Sequence, residues 1–229
     1  MLKRTSTLLA VVALLVAGPL MAQRGGMGMG MMPPAMSGLW NPVVGSGAIY
    51  EQTSKDGTKR LITISVVGKE DSEGQTGYWM EFFAGDEGKQ SVAQMLMVKG
   101  GDNIAVAKMI FQQPGQPPML ISNSMMGMMA GRGGFAPPTP KADIHNGAEV
   151  VGTESVTTPA GTFECEHLRT KDGSNAWISP KAGPWSLVKT VSPDSSMVVV
   201  KILSDAKSHV VGTPQPIESM MGGRGRGQE

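Results

Sequence analysis

The feature that most constrains this chain is a series of short segments in which apolar and polar residues alternate, each bounded by a turn signal. Ile62, Ile64 and Val66 fall on one side of such a segment, and the turn signal at 55–57 (KDG) precedes it. Because the side chains of a β-strand point alternately to the two faces of a sheet, this period of two is typical of strands. About ten such segments follow one another at short spacing, which predicts an antiparallel all-β fold with few or no helices.

The predicted strands occupy most of the chain from residue 43 to residue 204. They are 43–53, 59–67, 78–84, 94–98, 104–111, 149–157, 162–170, 174–179, 185–191 and 197–204. The stretch 91–98 also fits a short helix, so its assignment stays open. Several strands are apolar on both faces, as at Phe82 and Phe83, whereas a sheet with one face in water alternates more cleanly. We therefore expect parts of both faces to be covered.

The N-terminus has the pattern of a secretory signal peptide. Lys3 and Arg4 form a positively charged start, the apolar run 8–16 is too short to span a bilayer, and Ala22 is a small residue suited to cleavage. Residues 1–22 are therefore predicted to be removed, which places the protein in the periplasm or outside the cell. A short membrane anchor is the alternative interpretation. No other apolar run approaches the roughly 20 residues that a membrane-spanning helix needs.

The composition argues against several classes of protein. Residues 1–22 contain two basic residues and no acidic one, so the remainder has 18 basic and 19 acidic residues and a net charge of −1. Nucleic-acid-binding proteins usually carry an excess of basic residues, so no nucleic acid is predicted as a partner. A single cysteine excludes a disulfide framework and a four-cysteine zinc site. The chain also lacks a phosphate-binding glycine loop and a G-x-S-x-G element, and we predict neither an enzymatic activity nor a cofactor.

Segments rich in methionine and glycine flank and interrupt the strands. They form a linker at 23–42, an insert at about 114–142 and a tail at 217–229, around one sheet domain at 43–216. Each contains too much glycine or proline, and too little apolar periodicity, to build a core. All three are therefore predicted to be disordered.

The methionines of these segments indicate an alternative function. Thioether sulfur is a soft ligand that favours Cu(I), and a flexible chain can gather several thioethers around one ion. The candidate ligands are Met27, Met29, Met31 and Met32 in the linker and Met125, Met126, Met128 and Met129 in the insert. A disordered spacer and an adaptable apolar lid are the other interpretations of the same residues.

The strand 162–170 carries a thiol and an imidazole two residues apart. Alternation places Phe163, Cys165 and His167 on one face, with the thiol and the imidazole about 6.6 Å apart along the strand. That separation is long for a hydrogen bond, and no third group is visible to orient a base or complete a metal site. We favour a small buried thiol beside a partly buried imidazole. His145 and His209 lie in polar sequence and are predicted to face solvent.

A motif in the second half of the chain resembles a family of exported bacterial proteins of unknown function. The motif is 156–169 (VTTPAGTFECEHLR), followed by 177–180 (WISP) and 184–189 (PWSLVK). That family is similar to the lipoprotein-carrier, or LolA-like, superfamily of open, strongly curved β-sheets, and the resemblance covers about residues 43–216. It implies a half-barrel whose concave face holds an acyl chain or another apolar ligand.

The alternation within the predicted strands indicates which residues would line such a face. The candidate ligand-binding residues are Ile62, Ile64, Val66, Tyr78, Met80, Phe82, Met95 and Met97. Methionine adapts to an irregular acyl chain, and aromatic rings supply large contact areas. Three functions stay open: binding of a lipid, a lipoprotein or an envelope partner on this face; binding of copper by methionines; and a scaffold with no small ligand.

Overall fold

A computed structural model describes residues 38–85, 90–131 and 140–221 of the chain. In this part of the chain twelve strands form one open sheet, which confirms the prediction of an all-β fold. The strands are β1 Gly47–Ser54, β2 Lys59–Ser72, β3 Gln75–Ala84, β4 Ser91–Gly100, β5 Asn103–Gln112, β6 Met119–Ser122, β7 Ala148–Thr158, β8 Gly161–Thr170, β9 Asn175–Ile178, β10 Leu187–Val191, β11 Ser195–Leu203 and β12 Gln215–Pro216. The helices are α1 Asn123–Gly131 and α2 Ile217–Met221, and a short 3-10 helix covers Ile144–Gly147.

The sheet consists of two halves that meet at β1. One half runs from β1 through β2, β3, β4 and β5 to β6, and the other runs through β11, β10, β9 and β8 to β7. These pairs are antiparallel, whereas the two-residue strand β12 is added parallel to β6. The last long strand, β11, pairs with the first, so the chain returns to β1 before it crosses to the far edge of the sheet.

Both halves of the sheet contribute to one core. This core lies on the concave face of the sheet, which is called here the inner face. Ile62 and Met80 from the first half and Leu168 and Val199 from the second half are fully buried in the same cluster. In addition, β11 and β7 contact each other although three strands lie between them in the sheet, which requires the sheet to bend. The strong curvature that the resemblance implies is therefore present in the fold.

Several predicted boundaries differ from the observed ones. β1 begins at Gly47 rather than at residue 43, and β10 begins at Leu187 rather than at residue 185. The residues just before β10 form a turn that places Trp185 in the core. The segment 91–98, which also fits a short helix in the sequence, lies in strand β4 and is buried on both faces.

The insert carries more structure than its composition predicts. Its described part contains β6, which pairs with β5, and helix α1. Ile121 of β6 and Met126 of α1 are both buried in the core. A short apolar segment with no periodicity of its own gains hydrogen-bond partners when it lies beside the edge of a folded sheet, and composition cannot report that gain. The tail likewise begins with α2, while residues 23–37, 132–139 and 222–229 lie outside the described residues.

The outer face of the sheet is also covered, as the apolar character of both faces predicts. After β11 the chain crosses this face as residues 205–214, called here the C-terminal strap. Its two ends are tied down by main-chain hydrogen bonds, from Ala206 to Gly45 and from Gln215 to Pro118. On the same face of the sheet, Leu96 of β4 and Ile110 of β5 are buried. The middle strands are therefore packed on both faces.

Candidate ligand-binding face and its cover

The predicted ligand-binding residues come together on the inner face. The register places Ile64 of β2 opposite Phe82 of β3, and Met80 of β3 opposite Met95 of β4. The complete set is Ile62, Ile64, Val66, Tyr78, Met80, Phe82, Met95 and Met97, and all of them belong to or pack against one hydrophobic cluster. Seven of the eight are buried, and Tyr78 is half-buried. In the structure this face is therefore closed.

Three irregular segments close the inner face, and together they are called here the inner cover: residues 38–41, 140–144 and 179–186. Main-chain hydrogen bonds join these segments to one another. Leu39 donates to the carbonyl of Trp185 at 3.1 Å, and Trp40 donates to the carbonyl of Ala142 at 2.9 Å. The segment 140–144 is also tied to the start of β5, where Ile104 donates to Pro140 at 2.9 Å. The cover is thus one hydrogen-bonded unit that is attached at strand ends.

Two tryptophans of the cover were not identified as site residues from the sequence. Trp185 is fully buried, and its ring lies 4.8 Å from that of Trp40. Trp40 in turn packs edge-on against Tyr78 at 6.4 Å between ring centroids. In the sequence, Trp40 lies in the predicted linker and Trp185 at the start of a predicted strand, and neither position indicates what its ring contacts.

Gly38 allows two segments of the cover to approach closely. A Cβ atom at this position would lie 2.0 Å from the carbonyl oxygen of Trp185, a distance that no side chain can occupy. We expect Gly38→Ala to push the segments apart and to destabilise the protein by about 1–3 kcal/mol, the usual cost of overpacking. Faster amide exchange at Leu39 and a lowered melting temperature would show this.

Gly147→Ala is the matched control, because a Cβ at Gly147 meets nothing within 4 Å. If Gly38→Ala had the same amide exchange at Leu39 and the same melting temperature as Gly147→Ala, the two segments of the cover would not be closely packed at Gly38.

An imidazole between two carboxylates ties the cover to β8. His145 contacts Asp143 through Nδ1 at 2.6 Å and Glu166 through Nε2 at 2.8 Å. The hydrogen bond to Glu166 is the largest influence on the His145 pKa and raises it; partial burial lowers it, and Asp143 raises it further. The net shift of the pKa is upward. The prediction that His145 simply faces solvent is therefore wrong: only a third of its side chain is exposed, and both ring nitrogens have acidic partners.

The raised pKa of His145 predicts a pH dependence. Its unfolded value is about 6.5, so its contribution to stability is fully present below that pH and is lost as the pH rises through the higher folded value. We expect NMR titration of the ring to give a pKa above 6.5, and Glu166→Gln to lower it. A ring that titrates alike in both proteins would contradict the contact with Glu166.

The side chains of Cys165 and His167 bond to other groups and not to each other. The buried positions of β8 are Phe163, Cys165 and Leu168, and His167 is partly buried. His167 Nδ1 lies 3.2 Å from Glu154, the residue directly opposite Cys165, so the imidazole lies on the face of the thiol as predicted. Its ring stacks on Trp177, with 4.4 Å between ring centroids. Burial is the main reason that the pKa of the Cys165 thiol rises to about 11. The thiol is therefore protonated at neutral pH, as the favoured interpretation of a buried structural cysteine requires.

The methionines proposed as copper ligands are only partly described. Met27, Met29, Met31 and Met32 lie outside the described residues. Met125, Met126, Met128 and Met129 all lie in α1. Met126 is 1% exposed and packs in the core, whereas Met128 is 52% exposed, so these two sulfurs point away from each other. One ion could reach both only if the helix unwound, and copper binding stays a prediction.

Two further observations concern the described residues as a whole. None of their helices has both the length and the apolar character needed to cross a membrane. Among the same residues, no group of three or more His, Cys, Asp or Glu side chains is arranged to bind a metal ion.

Comparison with known proteins assigns no family. No protein-family model matches the chain, and no curated protein matches it. A candidate lipoprotein from Parabacteroides distasonis is similar over 72% of this chain and 99% of its own, with 13% identity and a TM-score of 0.33. A candidate exported protein with a YmcC-like fold from Bacteroides fragilis is similar over the same shares, with 14% identity and a TM-score of 0.34. Such values are too low to assign a family or a ligand, and the resemblance to the LolA-like superfamily stays a prediction.

Proposed function

We propose that this is an exported, non-enzymatic protein that binds an apolar ligand, such as the acyl chain of a lipid or lipoprotein, on its inner face beneath the inner cover. The observation that carries the proposal is the construction of the cover. In the part of the chain that the structure describes, the inner face is covered by three irregular segments, bonded to one another and attached at strand ends, and not by a second sheet or a long helix. Such a cover can lift without breaking the pairing of the strands below it.

The side chains of the inner face support the same proposal. Met80, Met95 and Met97 lie side by side on β3 and β4, and Met109 and Met126 complete the surface. Unbranched thioether side chains repack at low cost, so they can adapt to an acyl chain that enters when the cover lifts. A ligand there would replace the apolar contacts that opening removes, since burial of its own apolar area is favourable by about 25 cal/mol per Å².

Uptake of a fluorescent fatty acid tests this proposal. Trp40→Ala removes a ring that rests on Tyr78 and should loosen the cover, so we expect faster and tighter uptake than in the parent protein. Trp79→Ala is the matched control, because Trp79 lies on the outer side of β3, where its ring nitrogen donates to Glu70 at 3.1 Å. Equal uptake by both variants would mean that the fatty acid binds somewhere other than beneath the cover. No uptake by either the parent or Trp40→Ala would favour the alternative of a scaffold that binds no small ligand.

Native mass spectrometry of protein purified from its own cell envelope separates the remaining alternatives. A lipid adduct supports the proposal, and a copper adduct would favour the methionine-rich segments as the functional part.

N-terminal sequencing of the same material should begin at Gln23, because the signal-peptide pattern ends at Ala22. A protein that starts at Met1 in the envelope would contradict export with cleavage.

A further inference from the structure

The C-terminal strap is held to the outer face by side chains that recognise its main chain. The side-chain amide of Gln112 donates through Nε2 to the carbonyl of Val211 and accepts through Oε1 from the Val211 amide, both at 2.9 Å. This reciprocal pair is the pattern that a neighbouring β-strand would offer. It fixes an extended backbone without depending on the side chain of the bound residue.

A buried carboxylate provides the second contact. Glu81 is fully buried on the outer side of β3, and it accepts from the main-chain amide of His209 at 2.9 Å. The ring Nδ1 of His209 lies 2.6 Å from the other oxygen of Glu81, and Gln94 donates to Glu81 at 2.7 Å. Gln94 also donates to the hydroxyl of Ser208 at 2.6 Å. The glutamate is thus satisfied by the strap and by one neighbour on the sheet.

The three recognition residues lie on adjacent strands. Glu81 of β3 is directly opposite Gln94 of β4, and Gln112 of β5 pairs with Val92, two residues from Gln94. They form a row across the sheet, which the strap crosses from Ser208 to Val211. The ring of Phe83 adds a parallel stack on His209, with 4.0 Å between centroids. This row has the features of a peptide-binding groove. Gln112 binds the main chain, the buried carboxylate of Glu81 accepts hydrogen bonds, and the ring of Phe83 provides a surface for stacking.

The strap itself buries little apolar surface. Val211, its central apolar residue, is 75% exposed, and most of its neighbours in the strap are exposed as well. When the strap lifts, Glu81 regains contact with water, which compensates for the hydrogen bonds that it loses. Polar contacts of this kind cost less to exchange than a packed apolar segment, so the strap can be replaced by another extended segment that offers the same donors.

We propose that Glu81, Gln94 and Gln112 form a groove for an extended peptide, that residues 208–211 of the same chain occupy it in the structure, and that residues 208–211 of a second copy can take their place. The second copy is the occupant because its segment presents the same hydroxyl, imidazole and main-chain groups that the groove already binds. Exchange of an identical element between two copies requires no new interface chemistry. The groove lies on the outer face and does not depend on ligand binding at the inner face.

Two full-length variants test the exchange. Val211→Pro removes the main-chain N–H group that donates to Oε1 of Gln112. It should therefore release the strap and leave the groove empty. Gln112→Ala combined with Glu81→Gln should disable the groove and leave the strap free. Each variant alone should remain monomeric, whereas an equimolar mixture should form a heterodimer in size-exclusion chromatography with light scattering. A mixture that stays monomeric at all concentrations would overturn exchange between copies.

A labelled peptide that contains residues 205–216 provides an independent measurement. Its apparent affinity for the parent is reduced by the small fraction of open grooves, so Val211→Pro should bind it at least about tenfold more tightly. The same peptide with proline at 211 is the control and should not bind. If Val211→Pro does not fold, His209→Ala replaces it, since that change removes the ring and keeps the groove. Equal binding by parent and strap variants, or equal binding of both peptides, would contradict the groove.

Discussion

Replacement of Phe82 by aspartate is expected to abolish cooperative folding. Phe82 is 0% exposed and lies in the cluster that both halves of the sheet share. Loss of the ring costs about 3–5 kcal/mol, as in other Phe-to-Ala substitutions in cores. An unpaired carboxylate in the same place adds several kcal/mol more. The total is comparable with the roughly 5–15 kcal/mol that stabilises a typical domain.

A thermal melt followed by circular dichroism measures this effect. Leu61→Asp is the matched control, because Leu61 lies one residue before Ile62 on β2 but is 57% exposed. Although its new charge would face Glu51 across the strand pair, such like-charge pairs cost no more than about 1 kcal/mol. If Phe82→Asp melted like Leu61→Asp, the inner face would be open to solvent and the cover would not seal it.

Replacement of Trp185 by alanine should be the second most damaging change. The ring is fully buried between the cover and the core, so its removal leaves a cavity that costs about 3–5 kcal/mol. For a chain of this size that loss lowers the melting temperature by on the order of 10 °C. Its indole nitrogen is buried without a hydrogen-bond partner among the described residues.

Trp185→Phe separates the apolar contribution of the ring from its polar atom. Phenylalanine keeps most of the apolar area and removes an unpaired N–H group, whose burial costs about 1–3 kcal/mol. We therefore expect Trp185→Phe to lose much less stability than Trp185→Ala. Equal losses in the two variants would mean that contacts specific to the indole, rather than filled volume, hold the cover in place.

The strands of the first half could be predicted because their information is local. Ile62, Ile64 and Val66 alternate within one segment, and the predicted face of β2 is the face that is buried. Periodicity of this kind depends only on where successive side chains point. Alternation alone did not predict burial on β8, where Leu168 is buried as well as Phe163 and Cys165, although it is three residues from Cys165. A change of register in the neighbouring strand, between Val150 and Gly152, lies opposite this part of β8, and nothing in the sequence marks it.

The partners of the covered faces could not be predicted. Phe82 and Phe83 indicate that both sides of β3 are covered, but Phe82 lies in the core cluster of the inner face and Phe83 under His209 of the strap. Glu81, which directly precedes Phe82, bonds to His209, a residue 128 positions away. Irregular segments have no period, so their sequence does not report which surface they lie on. The available signal was a single acidic residue, Glu81, in the aromatic-rich strand β3. Its role could not be predicted, because its partner His209 is far away in the sequence.

The sequence by itself determined the class of fold, most of the strand positions and the inner face of β2 to β4, because these follow from alternation and turn residues within a few positions of one another. Only the tertiary structure decided that the inner face is closed, that the insert contributes β6 and α1, and that the C-terminal strap crosses the outer face. These features depend on contacts between segments that are far apart in the chain and lack regular structure. Their formation is set by the shape and the unsatisfied polar groups of the finished sheet, which no local pattern contains.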